Sequence, residues 1–137
     1  LIELDPDHQS DYQANLDAFL AEVEALDNYI AETLKTVEGK KIIVTHPAWS
    51  YFADDYGLEM IPMSPDGREP DAARIDELAA FAKAEGIKAV FVQAEFDTAP
   101  GLELALKIDG RTIPLSPLNP AWENNLRSVA LMFAGVL

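Results

Sequence analysis

Cysteine is absent from this 137-residue chain, histidine occurs twice, and cations are few. Each shortage excludes some chemistry. Without thiols there is no disulfide framework, Cys-ligated zinc, iron–sulfur cluster or thiol nucleophile. The same absence fits an oxidising or a reducing compartment equally well. Ten Lys and Arg stand against twenty-four Asp and Glu, a formal net charge of −14. That charge argues against nucleic acid and anionic membrane surfaces as partners, since both are polyanions. It leaves metal ions and cationic partners open. The sequence has no run of about 18 apolar residues and no basic amino-terminal stretch, so it reads as lacking a transmembrane span and a signal peptide. It opens with Leu1-Ile2-Glu3-Leu4-Asp5-Pro6 instead of Met, which reads as a processed protein or an excised fragment.

What is present suits a folded domain. Hydrophobic residues make up 49% of the chain, too many for general disorder. A chain of this length buries roughly two thirds of its unfolded surface and needs no covalent or metal staple.

Asp5-Pro6-Asp7 reads as a turn, and Ser10 with Gln13 has capping-box spacing. Tyr12, Leu16, Phe19, Leu20, Val23, Leu26, Ile30 and Leu34 then recur at steps of three and four, which predicts an amphipathic helix of about 25 residues. Two readings fit so long a helix: one packed wholly against its own domain, or a spine spanning more than this domain. Beyond Gly39, β-branched and apolar runs alternate with helical segments. Strands are predicted at Ile42–Thr45, Leu58–Met63, Ala89–Val92 and Thr112–Leu115, with Pro62 placing the second at a sheet edge or strand end. Helices are predicted after Pro47, over 71–85, from Thr98 or Pro100 to Lys107, and over 121–134. Such alternation predicts an α/β fold. It would be a three-layer αβα sandwich around a four-stranded, mainly parallel sheet, preceded by the long helix.

Ligands of open parallel sheets sit beyond the carboxyl ends of the strands, which directs attention to a few residues. His46 directly follows the first strand, and a neutral imidazole is both a metal ligand and a general base. A histidine merely hydrogen-bonded at a strand end is the structural alternative. Gln93, Glu95 and Asp97 follow the third strand, and alternation would send Glu95 and Asp97 to one side. They could do acid–base work, bind a hard cation, or simply form an acidic loop in an acidic protein. His8 lies in a polar turn and reads as solvated. Asp66-Gly67-Arg68 lacks calcium-loop spacing, and no nucleophile elbow, P-loop or dinucleotide fingerprint is visible. The aromatics Trp49, Tyr51, Phe52 and Tyr56 read as core before ligand cage.

The segment Lys41 to Leu58, with His46 after its strand, then Tyr51-Phe52 and Tyr56-Gly57-Leu58, resembles the strand–His–helix motif of the zinc/manganese ABC-transporter substrate-binding proteins (cluster A-I). Glu69-Pro70 resembles that family's Glu-Pro-Ser-Pro turn, and Val90 to Phe96 its Ile-Phe-x-Glu-Pro-Gln-Phe. Leu115-Ser116-Pro117-Leu118 resembles its Leu-Asp-Pro-Leu, and Leu4 to Phe19 the helix that joins its two lobes. The resemblance implies a linking helix over 1–38 and a carboxyl-terminal lobe over 39–137, with the amino-terminal lobe missing. It implies a Zn²⁺ or Mn²⁺ ion held between lobes, with His46 as a ligand, and little tight binding by this half alone. It also implies a membrane permease as partner and a bacterial periplasmic or extracellular setting, membrane-associated through the transporter. No catalysis is implied. Two positions depart from the pattern: Ser116 stands where the family has Asp, and Gln93 replaces a common Glu. Glu95 and Asp97 are the substitute ligands to examine. An α/β enzyme domain with His46 as general base, and a metal-free adhesive or scaffolding paralogue, are the other readings.

Overall fold

The computed structural model describes residues 1–65 and 67–137. A single 3-10 turn at Pro6–His8 runs into helix α1 (Gln9–Leu34). Strand β1 (Lys41–Val44) is followed by α2 (Ser50–Asp55), β2 (Glu59–Pro62) and α3 (Ala72–Glu85). Then come β3 (Ala89–Gln93), α4 (Ala99–Lys107), β4 (Arg111–Leu115) and α5 (Trp122–Val136). The four strands form one sheet in the order β2-β1-β3-β4, and every pairing is parallel.

Local chemistry accounts for most boundaries. The Asp71 carboxylate accepts the Arg74 N–H at 2.8 Å and caps α3. Gly86, at φ +72°, closes the same helix in the left-handed conformation that other residues resist. Pro62 ends β2, an edge strand, where a missing N–H costs no ladder bond. The Ser10 capping box does not form. Helix α1 starts two residues earlier, at Gln9 with His8 in the N-cap position, because the 3-10 turn already supplies its first turn, and Gln13 instead donates to Asp17 at 2.8 Å. Pro47 likewise lies ahead of α2, where its carbonyl accepts the Ser50 hydroxyl at 2.7 Å. Of the turn-rich stretch 64–70, Asp66 lies outside the described residues.

Strand alternation splits the core between the two faces of the sheet. Ile42, Val44 and Phe91 point to one face, where they meet Leu26, Ile30 and Leu34 of α1 and Val129, Ala130 and Phe133 of α5. Ile43, Val90 and Val92 point to the other, against Ile75, Leu78 and Ala82 of α3 and Leu104 and Ala105 of α4. The result is the expected three-layer αβα sandwich. Helix α1 is buried only over its carboxyl-terminal part. Further forward Leu16, Phe19 and Leu20 of the same stripe stay about half exposed, and Phe19 meets the Trp122 ring edge-on at 6.0 Å.

Candidate functional site

Every candidate from the sequence lies at the carboxyl edge of the sheet. The chain leaves β1 toward β2 on one side, and β3 lies on the other. The crossovers therefore diverge between β1 and β3, and a crevice opens there. Two bonds hold the crevice floor. Thr45 donates its N–H to the Phe91 carbonyl at 2.9 Å, and its hydroxyl oxygen accepts the Gln93 N–H at 3.2 Å. His46, the next residue, is thereby carried out to the surface. It is exposed, and its ring lies 5.0 Å from that of Phe96, tilted by 43°. Among the described residues it makes no hydrogen bond to a carboxylate.

His46 borders a cleft of about 290 Å³ together with Ser64, Arg68, Glu69, Phe96 and Asp97. Asp97 therefore shares a cavity with His46, as a ligand would require. One of its oxygens accepts the Ala99 N–H at 2.9 Å and helps start α4. Glu95 and Ser116 form a second group outside that cleft: the Ser116 hydroxyl donates a hydrogen bond to the Glu95 carboxylate. This bond, assisted by the Glu95 backbone and the Gln93 amide, holds the Glu95 carboxyl below its ordinary pKa against a smaller opposing effect of burial. The Ser116 carbonyl in turn accepts the Asn125 side-chain amide at 2.8 Å, tying this pair to α5.

The structure corrects one expectation about these residues. Glu95 and Asp97 do not share a side by strand alternation, because β3 ends at Gln93 and the chain turns there, with the Phe96 N–H donated to the Gln93 carbonyl at 3.2 Å. One acid goes to Ser116 and the other to the cleft. Phe96 is the residue that pattern reading missed. A lone aromatic in a polar turn carries no periodic signal, and only the fold sets it against His46. His8, as expected, is on the surface, paired to Asp5 at 2.9 Å. Trp49 is buried and Phe52 packs on the core, while Tyr51 is exposed.

Chemically, the edge presents one open imidazole on a cleft that two carboxylates, Glu69 and Asp97, also border. Among the described residues no group of three or more His, Asp or Glu side chains is placed to hold a metal ion. Nor is any helix there long and apolar enough to cross a membrane.

Comparison with known proteins gives this arrangement a context. The high-affinity zinc uptake system protein ZnuA of Bacillus subtilis is 31% identical over 121 residues, which cover 86% of this chain and 38% of that protein. A crystal structure of ZnuA superposes with a TM-score of 0.94 at 39% identity, covering 98% of this chain and 53% of that one. A 138–173 deletion mutant of ZnuA with zinc bound superposes with a TM-score of 0.90 at 39% identity, covering 98% of this chain and 52% of that one. The chain thus spans about half the length of these relatives, or less. The model of zinc-uptake complex component A, periplasmic, matches residues 1–132. Together with the fold, this match places the chain in the ZnuA family.

Proposed function

We propose that this chain supplies one half of an interlobe metal site in the substrate-binding component of a bacterial metal ABC uptake transporter. The cargo is Zn²⁺ or Mn²⁺, with zinc favoured by the names of the relatives. Residues 1–38 act as the linking helix and 39–137 as the carboxyl-terminal lobe. His46 is the principal ligand and Asp97 a carboxylate of the same cleft, with Glu95 and Ser116 forming a polar pair beside it.

The observation that carries this reading is His46 itself: an exposed imidazole on an open cleft that Glu69 and Asp97 also border, with no three such side chains among the described residues placed together to hold a metal ion. Structural zinc sites use four protein ligands and catalytic ones at least three, so the remainder must come from elsewhere. The half-exposed stripe of Leu16, Phe19 and Leu20 supports a second body against the front of α1, since a contiguous apolar face, unlike singly scattered residues, marks an interaction surface. A general base would be expected in a closed pocket, oriented by a carboxylate. The open setting of His46 therefore favours binding over catalysis. The work is done by holding a cation between lobes until a permease takes it, in a periplasmic or extracellular setting. No bond in the cargo is made or broken.

Calorimetry with Zn²⁺ tests the reading. The chain alone should show weak binding, abolished by His46→Ala, with the His46 imidazole resonances shifting as zinc is added. A tight one-to-one isotherm would overturn the half-site account, and unshifted His46 resonances would overturn the role of His46.

A further inference from the structure

Gln93 has the only buried side-chain polar atom without a partner among the described residues: its Oε1, in a residue only 7% exposed. Its main chain is committed: the N–H goes to the Thr45 hydroxyl, and the carbonyl accepts the Phe96 N–H. A buried carbonyl left without a donor is uncommon, because its desolvation goes uncompensated.

Beside Gln93 lies a cavity of about 10 Å³ that also borders Thr45, His46, Trp49 and Leu115. This is close to the space one water needs. His46 borders both this cavity and the 290 Å³ cleft, and so forms part of the wall between them. An imidazole carries two nitrogens, and when one binds a metal the other commonly donates its N–H to a fixed acceptor.

We propose that Gln93 is the positioning residue for His46. A single water in the small cavity accepts the N–H of one ring nitrogen and donates to Oε1, which presents the other nitrogen, unprotonated, to the cleft. This rests on the reading of His46 as a metal ligand, and it gives the orphaned oxygen a donor. A glutamine suits the task because its carbonyl accepts at any pH without adding charge beside the ring.

The test is the tautomer of His46, read from ¹⁵N–¹H correlations of the imidazole in the metal-free 137-residue chain above its titration. One tautomer should dominate in the unmodified chain. Gln93→Met, which keeps the volume and loses the acceptor, should return the ring toward a mixture. Gln93→Glu should retain the bias. In the same chains Zn²⁺ affinity at His46 should fall about 10- to 100-fold for Gln93→Met and recover in Gln93→Glu. A mixed tautomer in the unmodified chain would overturn the proposal even if the Met variant does not fold, and so would a bias insensitive to Gln93→Met. Zinc that shifts His46 equally in all three chains would overturn the role of Gln93 while leaving the half-site standing. Zinc that shifts it in none would remove the half-site itself.

Discussion

Glu95 shows how much one hydroxyl sets at this site. Its carboxyl is held below the ordinary value of 4.5 chiefly by the Ser116 hydroxyl. A depressed carboxyl adds stability that is present above its ordinary pKa and lost as the pH falls through the lower, folded value. Ser116→Ala removes the main cause, so the Glu95 pKa should rise toward 4.5, and the acid limb of the stability curve should become less steep. A side-chain ¹³C titration of Glu95 checks this, and an unchanged value would mean that the backbone and the Gln93 amide suffice. The same pairing sets a carboxylate, from the turn after β3, against Ser116, the position where the resemblance leads one to expect aspartate.

Helix α4 meets the sheet through a position where no side chain fits. A Cβ on Gly101 would lie 2.5 Å from Val92 Cγ1 and 3.0 Å from Thr45 Cγ2. Both neighbours are β-branched, Val92 within β3 and Thr45 just past β1 with its N–H and hydroxyl hydrogen-bonded, so they yield little. Gly101→Ala gains about 1 kcal/mol of helix propensity, but overpacking of this kind costs about 1–3 kcal/mol. The clash should prevail, lowering the urea midpoint at unchanged slope and disturbing Thr45, the residue before His46. A raised midpoint would show that α4 can slide. Helix α1 makes a different point at this scale. Its apolar stripe is continuous from Tyr12 to Leu34, yet the domain covers only its last part. Periodicity reports that a face is apolar; it does not report what covers each turn.

Across the whole molecule the net charge of −14 is spread over a surface whose ion pairs are largely exposed, such as Lys35 with Glu32 and Arg74 with Glu77. Exposed pairs of this kind contribute little, so self-repulsion should dominate the salt response. Raising ionic strength from about 0.01 to 0.15 M shortens the screening length from roughly 30 to 8 Å. The thermal midpoint should rise with added NaCl. A fall would mean that the ion pairs outweigh the repulsion.

Part of this architecture is legible in the sequence. Alternating β-branched runs and helical stripes determined the αβα sandwich, because burial on both faces of a parallel sheet leaves continuous apolar strands such as Ile42-Ile43-Val44 and Val90-Phe91-Val92. Proximity to strand ends determined that His46, Glu95, Asp97 and Ser116 share one edge. Tertiary structure alone decided their grouping: His46 with Phe96 and Asp97 at the cleft, Glu95 with Ser116, and Gln93 buried beneath with an unpaired oxygen. The physical reason is that pairings across the edge depend on where β3 stops and turns. A one-residue difference in that ending would redirect every side chain after Gln93, and no periodic pattern in the sequence records it.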